Sequence, residues 1–309
     1  MKKIVGIGET ILDILFKENQ PVRAVPGGSS FNGLISLGRM GLPAIFISEI
    51  GNDRVGKIIK DYMAESHLTT EYIDTFPDGK SPVSLAFLNA QNDAEYLFYK
   101  DYPNNRLETG YPILEADDLV LFGSYYAINP VLRPRMLDLL QFATDRKAIV
   151  YYDVNFRSTH ANESIRLTPT FIENFEFSDI IRGSVDDFFY MYNTTDMDKV
   201  YKEKIQFYTQ IFICTYAEKG VVVRTPNFKK QYESKSIQPV STVGAGDNFN
   251  AGILFALYHA GVSKFDLIHL RESDWDYIIE CGLDFASEVC QSYENSLSKE
   301  FAASYSNKR

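Results

Sequence analysis

The chain is poor in the residues that build disulfide and metal centres. Its 309 residues include four histidines and three cysteines, Cys214, Cys281 and Cys290. The wide spacing of the cysteines fits neither a disulfide framework nor a zinc cluster, and the histidines show no paired spacing. We therefore predict no protein-bound metal, and we interpret the cysteines as small buried side chains of a protein from a reducing compartment.

Long apolar runs and an excess of positive charge are also absent. No apolar stretch approaches the roughly 18 residues that a helix needs to cross a bilayer. The net charge of −10 is spread along the chain, so the protein repels phosphate backbones and anionic lipid surfaces. We therefore expect a cytoplasmic protein without a nucleic-acid or membrane partner. Twelve prolines, 19 glycines and 45% hydrophobic residues are near globular averages and exclude a disordered or collagen-like chain.

Short β-branched segments alternate with helical patterns along the chain. The run from residue 3 to residue 8 ends in glycine and predicts a strand that is buried on both faces. Further strands are predicted at 44–50, 119–122, 148–154, 179–182, 211–215 and 220–224, and helices at 31–40, 54–65 and 133–142. This alternation predicts an α/β domain over residues 1–309, doubly wound, with a mostly parallel sheet and helices on both faces.

Two segments break this rhythm. Residues 10–26 and 81–104 alternate apolar and polar side chains with the two-residue period of a strand, and Gln91-Asn92-Asp93 is typical of a hairpin turn. They predict either a small antiparallel sheet that serves as a lid or an extra strand pair at the edge of the main sheet.

A lid would exclude water from a site beneath it. Three aromatic side chains are candidates for its inner face: Phe16, Phe98 and Tyr99. An apolar lid face that covers no ligand needs a partner, so the sequence raises the hypothesis of a homodimer through the lid.

The segment 241–247 runs directly into a predicted helix at 248–260. Three small residues allow backbone N–H groups to converge on an anion at the helix N-terminus: Gly244, Ala245 and Gly246. Asp247 stands beside them, where a general base could take a proton from a hydroxyl while the amides stabilise a transferring phosphoryl group. The same pattern also fits an N-cap aspartate after a glycine-rich turn. No Gly-Lys-Ser/Thr follows, so this is not a Walker loop.

A second glycine-rich segment begins at Gly27 and Gly28 and continues into a Ser-Ser-Phe-Asn run that opens a helix. Paired glycines permit positive φ, and the amide of Asn32 can both donate to and accept from vicinal hydroxyls. Taken alone, the segment is more typical of a capped turn than of a binding site.

Four motifs follow one another along the chain: Gly27-Gly28 with Asn32, Gly51-Asn52-Asp53-x-x-Gly56, Asp153-x-Asn155-x-Arg157 and Gly244-Ala245-Gly246-Asp247. In this order and at these separations they resemble the ribokinase-like (PfkB-type) carbohydrate kinase family, over nearly the whole chain. Within that family, Gly8-Glu9-x-x-x-Asp13, Phe98-Tyr99-Lys100 and residues 153–157 are most similar to fructokinases and 2-keto-3-deoxygluconate kinases.

The resemblance implies a role for residues near the sugar. Asp247 matches the general base, and the anion hole around the γ-phosphate matches Gly244, Ala245 and Gly246. The positions that hold the sugar match Asp13, Gly27, Gly28 and Asn32. Lys100 lies where relatives often have an arginine that faces the substrate.

The resemblance also implies ATP and Mg²⁺ as cofactors and a set of residues that bind them. Asn155 and Arg157 match positions near the phosphates, and Ser184 and Asp187 match positions that influence Mg²⁺ through water. The loop beside the nucleotide matches Thr215, Ala217 and Gly220.

Three positions depart from the family pattern. Ser241 replaces an aspartate that helps to coordinate a monovalent cation in activated relatives, and a neutral hydroxyl is a poorer ligand, which makes K⁺ activation doubtful. Ser184 and Asp187 keep oxygen atoms but shorten the reach to the magnesium environment. Ala217 replaces a glycine and constrains φ in the nucleotide loop.

The resemblance thus implies an ATP-dependent sugar kinase, with conversion of fructose to fructose 6-phosphate as the first candidate reaction. A 2-keto-3-deoxygluconate kinase or another sugar or nucleoside kinase stays open. A sugar-acid acceptor would need a cation for its carboxylate, and Lys100 and Arg106 are candidates. The alternative of another class is a non-catalytic sugar sensor, which would be expected to have lost Asp247 or the glycines.

Overall fold

A computed structural model describes residues 2–88 and 94–306 of the chain. The strands and helices, in chain order, are β1 (Ile4–Ile7), β2 (Ile11–Lys17), β3 (Gln20–Gly27), α1 (Ser29–Arg39), β4 (Ala44–Gly51), α2 (Arg54–Glu65), β5 (Ile73–Phe76), β6 (Lys80–Leu88), β7 (Ala94–Asp101), β8 (Leu119–Gly123), α3 (Ser124–Ile128), α4 (Arg133–Asp145), β9 (Ile149–Asp153), α5 (Ser164–Phe177), β10 (Ile180–Ser184), α6 (Val185–Tyr192), α7 (Met197–Val200), β11 (Ile211–Thr215), β12 (Val221–Arg224), β13 (Lys229–Tyr232), α8 (Ala245–His259), α9 (Lys264–Leu267), α10 (Glu272–Val289) and α11 (Lys299–Ser306).

Residue contacts divide the chain into two units, which are described separately. The first unit comprises the described residues of Lys3–Pro112, Ile237–Phe255 and Cys281–Arg309. The second unit comprises Ile113–Ser236 and Ala256–Glu280, together with Lys2. The prediction of one kinase domain over the whole chain stays a prediction.

The first unit contains the parallel strands β1, β4 and β5. Ile4 pairs with Ala44 and Ser48 pairs with Ile73, so β4 lies between the other two. All four residues of β1 are buried, as expected for a short β-branched run that is covered on both faces. Helix α2 spans the residues predicted for it.

The two segments with a two-residue period, 10–26 and 81–104, contribute the strands of a separate four-stranded sheet, in the order β3-β2-β6-β7. Each outer pair is an antiparallel hairpin, and the two hairpins meet through a parallel pairing of β2 with β6. Glu18 and Asn19 connect β2 to β3 with φ of 52° and 61°, the left-handed geometry of a tight hairpin turn. The predicted turn at Gln91-Asn92-Asp93 lies outside the described residues. The structure therefore confirms a separate small sheet and contradicts the alternative, an extra strand pair at the edge of the main sheet.

The strand register of the small sheet decides which side chains share a face. Asp13 lies opposite Ser84, which lies opposite Phe98, so these three point to one side, called here the inner face. Phe16 and Tyr99 have the opposite parity and lie on the outer face. The prediction that Phe16 and Tyr99 lie on the inner face is therefore wrong, because successive residues of a strand point to opposite faces of the sheet. The prediction for Phe98 agrees with the register.

The second unit contains strands in the order β13-β12-β11-β10-β9-β8. The pairings from β8 to β11 are parallel, whereas β12 and β13 are added antiparallel. The parallel strands are almost entirely buried, which explains their continuous apolar sequences. Strand β13 was not predicted, because its alternating exposed residues are mostly lysine and glutamine.

The fold is the predicted α/β class, with a mostly parallel sheet, flanking helices and a small additional sheet. Cys214, Cys281 and Cys290 are buried, as predicted. Within residues 2–88 and 94–306, no helix has the length and apolar character to cross a membrane.

Candidate active site

The turn at Gly27 and Gly28 joins β3 to α1 and belongs to the first unit. Gly28 has φ of 138°, and a Cβ at this position would overlap the carbonyl oxygen of Glu9. A Cβ at Gly27 would overlap the carboxylate of Asp13. The two glycines therefore allow the backbone to lie directly against the segment that carries Glu9 and Asp13.

Asp13 extends from β2 on the inner face of the small sheet and is buried. Its Oδ1 accepts a hydrogen bond from Ser84 Oγ on the neighbouring strand β6. Its Oδ2 lies 3.4 Å from Nδ2 of Asn295. Two polar side chains from different parts of the sequence, Ser84 and Asn295, therefore orient this carboxylate.

Asp247 and Asn32 lie next to each other at the start of two helices. Asn32 in α1 donates from Nδ2 to Oδ2 of Asp247 at 2.8 Å. The helices approach closely because residue 33 is glycine, where a Cβ would be 2.9 Å from the carbonyl oxygen of Asp247. Asp247 is half-buried and lies inside the first turn of α8. It is therefore not the N-cap of this helix, and the simple capping interpretation is wrong.

The glycine-rich turn before α8 is held by a short polar network. Gly244 has φ of 79°, and a Cβ there would be 2.7 Å from the carbonyl oxygen of Asn295. Asn248 donates from Nδ2 to the carbonyls of Gly244 and Asn295, each at 2.8 Å. Gly244, Ala245 and Gly246 are all half-buried. The positive end of α8, a helix of 15 residues, is thus fixed beside the Asp247 carboxylate.

Lys100 does not offer an unneutralised charge on the inner face. Its ammonium lies 2.7 Å from the Glu9 carboxylate, which also accepts from the Tyr102 hydroxyl at 2.5 Å. Burial and then the neighbouring Glu9 charge raise the pKa of Tyr102, so its hydroxyl stays a proton donor. Glu9 therefore binds the residue that was predicted to face the substrate.

Arg106, the other candidate cation, is also neutralised. Its Nε donates to Oε1 of Glu49 at 2.8 Å, and the backbone N–H of Leu107 donates to Oε2 of the same carboxylate at 3.0 Å. The Arg106 and Glu49 side chains are 7% and 1% exposed, so the ion pair is inaccessible to a ligand carboxylate.

The motif Gly51-Asn52-Asp53-x-x-Gly56 builds the base of the small sheet. Asp53 accepts from Gly56 N at the start of α2 and from Ser81 N at the start of β6, each at 2.8 Å. Burial alone would raise the pKa of Asp53, but these hydrogen bonds outweigh it and lower the pKa. The motif thus anchors β6 to the α2 N-terminus.

In the second unit, a buried ion pair links the carboxyl ends of three strands. Arg182 at β10 donates to Asp153 at β9 at 2.8 Å and to Thr215 Oγ1 at β11 at 2.9 Å. Burial alone would lower the pKa of Arg182, but the Asp153 carboxylate outweighs it and raises the pKa. Thr215, predicted to bind nucleotide, is therefore oriented by Arg182.

The remaining predicted nucleotide residues follow those strand ends. Asn155 has φ of 37°, and Arg157 is exposed at the start of a 3₁₀ helix. Ala217 has φ of 49°, a left-handed conformation that costs a side chain with a Cβ about 1–2 kcal/mol, and Gly220 has φ of 91°. The loop thus keeps the backbone shape that glycine would adopt freely.

Ser184 and Asp187 form a reciprocal capping box at the start of α6. Ser184 donates from its backbone N–H to Asp187 at 2.6 Å and from Oγ at 2.8 Å. Burial raises the pKa of Asp187 to about 6, although these hydrogen bonds oppose the shift. No group of three or more His, Cys, Asp or Glu side chains among residues 2–88 and 94–306 is arranged to hold a metal ion. These residues therefore do not fit a dedicated protein cage for Mg²⁺.

Three residues in these networks were missed from the sequence. Ser84 lies between apolar neighbours in β6, Arg182 interrupts a buried strand, and Asn295 follows α10 in a polar loop. A charged residue inside an apolar strand was a usable signal for Arg182, because a buried arginine needs a partner. Nothing in the local sequence distinguishes Asn295 from an ordinary loop residue.

Comparisons with known proteins identify the family of the chain. The family described as pfkB family carbohydrate kinase matches residues 1–301. A fructokinase of Rhizobium leguminosarum bv. trifolii is 26% identical over 262 residues, which cover 82% of this chain and 79% of that protein.

Two solved structures have a similar fold. A fructokinase from Vibrio cholerae O395, in a form bound to fructose, ADP and calcium ion, gives a TM-score of 0.83 at 17% identity and covers 97% of this chain and 96% of that one. An aminoimidazole riboside kinase from Salmonella enterica, complexed with aminoimidazole riboside and an ATP analogue, gives 0.80 at 18% identity, with coverages of 99% and 100%.

Proposed function

Because the chain belongs to the pfkB family of carbohydrate kinases, we propose that it transfers the γ-phosphate of ATP to the hydroxymethyl group of a neutral sugar, with fructose as the first candidate acceptor. The observation that carries this proposal is the hydrogen bond between Asn32 and Asp247 at the N-terminus of α8. It joins a predicted sugar-binding amide to a predicted base at the end of a helix that attracts an anion.

In the proposed reaction, Asp247 accepts the proton of the sugar hydroxymethyl group. The deprotonated oxygen of the sugar forms a bond to the γ-phosphorus. The bond from that phosphorus to the oxygen that bridges it to the β-phosphate breaks, and ADP leaves. The glycine-rich turn at 244–246 and the positive end of α8 stabilise the negative charge on the transferring group. Because such transition states are loose, positioning and electrostatics supply most of the rate enhancement.

Magnesium enters this proposal as part of the nucleotide substrate. Mg²⁺ retains several waters and is commonly bound through substrate phosphates with only one or two carboxylates. Ser184 and Asp187 hydrogen-bond to each other, which supports a structural role for them at α6. An influence of this pair on Mg²⁺ through water stays a prediction.

The charged side chains of the first unit favour a neutral acceptor. Glu9 neutralises Lys100, and Glu49 neutralises Arg106, so both candidate partners for a sugar-acid carboxylate are engaged. Asp13 and Asp247 add further negative charge in the same unit. Two like charges about 4 Å apart near a protein surface repel by about 4 kcal/mol. A sugar acid is therefore a poorer candidate than fructose or another neutral sugar.

A non-catalytic sugar sensor is the second class of candidate. It would need the sugar-binding residues but neither the base nor the anion hole. Asp247, Gly244 and Gly246 are all retained, and Gly244 has the positive φ that the turn requires. These features support catalysis over sensing alone.

The test is ADP formation across a panel of sugars with MgATP. We expect turnover with fructose or another neutral ketose, and a much smaller kcat/KM with 2-keto-3-deoxygluconate. A sensor would bind a sugar, seen as a rise in Tm, without ADP formation. Absence of both binding and turnover across the panel would overturn the proposed function.

A further inference from the structure

We propose that Asn295 is a positioning residue that sets the orientation of the sugar-binding carboxylate of Asp13 and ties it to the anion-binding turn before α8. The inference rests on the proposed function and extends it to a residue that carries none of the recognised motifs.

The side chain of Asn295 faces the predicted sugar site. It is 1% exposed, and its Nδ2 lies 3.4 Å from Asp13 Oδ2. The same Nδ2 is 3.1 Å from the place where a Cβ on Gly27 would stand. Because Ser84 holds the other oxygen of Asp13, the two donors together fix the plane of this carboxylate.

The main chain of Asn295 faces the anion-binding turn. Its carbonyl oxygen accepts a hydrogen bond from Asn248 in α8 at 2.8 Å. The same oxygen lies 2.7 Å from the place where a Cβ on Gly244 would stand. One residue therefore contacts Asp13 through its side chain and the start of α8 through its backbone. The distance between the sugar-binding carboxylate and the helix that bears Asp247 depends on this link.

Stability alone does not explain an asparagine here. Among the described residues, Asn295 Oδ1 has no hydrogen-bond partner although it is buried. A buried acceptor without a partner is destabilising, so an amide at this position is retained at the expense of stability. The donor side of the same amide, directed at Asp13, provides the reason to retain it.

The experiment compares steady-state kinetics and melting of wild type, Asn295→Ala, Asn295→Asp and Ser298→Ala. Ser298 lies three residues along the same segment, and its Oγ accepts from Phe301 N at the start of α11. We expect Asn295→Ala to raise the sugar KM about tenfold, to change the ATP KM less than twofold and to leave Tm within about 2 °C. Ser298→Ala should lower Tm by about 2–4 °C, as expected for a lost cap, without a change in sugar KM.

Asn295→Asp supplies a readout that a purely structural role would not move. Two carboxylates side by side share a proton, and the pKa of the pair rises. Below that pKa the protonated oxygen again donates to its partner, so the sugar KM of Asn295→Asp should approach the wild-type value as the pH falls from 8 to 5.5.

The outcomes separate the two proposals. Wild type that neither binds nor phosphorylates any sugar overturns the proposed function, and this inference with it. Active wild type together with an Asn295→Ala sugar KM within twofold of its value, or an Asn295→Asp to wild-type KM ratio that is flat with pH, overturns the role of Asn295 alone.

Discussion

Asn32 and Asp247 are 215 residues apart in sequence, yet the amide of the first donates to the carboxylate of the second at 2.8 Å. The bond orients one oxygen of Asp247, and Asn32 is itself buried, with 4% of its surface exposed. The two side chains, the proposed base and the proposed sugar-binding amide, are thus paired where α1 approaches the start of α8.

The first prediction concerns this pair. Asp247→Asn removes the proton acceptor while keeping the size of the side chain, so we expect a fall in kcat of roughly 10² or more with sugar affinity within a few-fold. Stopped-time ADP assays and sugar titrations monitored by Tm measure both. Asn32→Ala keeps the base and should raise the sugar KM more than it lowers kcat. Asp247→Asn with more than about a tenth of wild-type turnover would exclude Asp247 as the base.

The second prediction concerns acceptor charge. Glu9→Gln removes the charge that neutralises Lys100, so the ammonium becomes available to a ligand carboxylate. We expect the ratio of kcat/KM for 2-keto-3-deoxygluconate to that for fructose to rise at least tenfold. Tyr102→Phe is the matched control, because it removes the other contact to Glu9 and keeps the ion pair. An unchanged ratio in Glu9→Gln would show that this pair does not govern acceptor choice.

The third prediction concerns the strained loop of the second unit. Ala217→Gly relieves the left-handed conformation at φ of 49°, which is worth about 1–2 kcal/mol, and adds freedom to the unfolded chain, which costs about 0.4–1 kcal/mol, so the relief outweighs the cost. We expect the free energy of unfolding to rise by about 0.5–1 kcal/mol. Ala303→Gly, on the exposed side of α11, should lose about 1 kcal/mol. Urea unfolding of both variants measures the difference, and an equal loss would mean that Ala217 is not strained.

The fourth prediction concerns monovalent cations. Ser241 is buried, and its Oγ accepts a hydrogen bond from Val243 N at 3.2 Å, so the hydroxyl stabilises the turn in which it lies. We expect kcat/KM to vary less than twofold when KCl is replaced by NaCl or tetramethylammonium chloride at equal ionic strength. A several-fold activation that is specific for K⁺ would contradict this expectation.

The fifth prediction concerns the outer face of the small sheet. Phe16 and Phe87 stack there at 4.9 Å between ring centroids, and Leu97 and Tyr99 extend the same apolar surface with 48% and 60% exposure. We propose that a second copy of the chain covers this face. Light scattering should report a dimer for wild type and a monomer for Leu97→Glu. Phe265→Glu, at an exposed site in the second unit, should leave the dimer intact; a monomeric wild type would refute the proposal.

Local patterns predicted the elements well where burial is uniform. Strands β1, β8 and β11 and the helix at 54–65 could be predicted without knowing what packs against them. A strand that is covered on both faces has a continuous apolar sequence, and an amphipathic helix has a periodic one. The period-two segments likewise indicated extra strands. The pattern could not tell which face of those strands carries Asp13, since that depends on the register with β6.

The sequence by itself determined the chemistry of the parts: a carboxylate beside a glycine-rich helix start, paired glycines before a polar helix start, and an α/β alternation. Tertiary structure alone decided the pairings. It placed Glu9 on Lys100, Glu49 on Arg106, Arg182 on Asp153, and Asn295 between Asp13 and Gly244. Charge and hydrogen bonding act over a few ångströms in space, whereas the sequence records only distance along the chain.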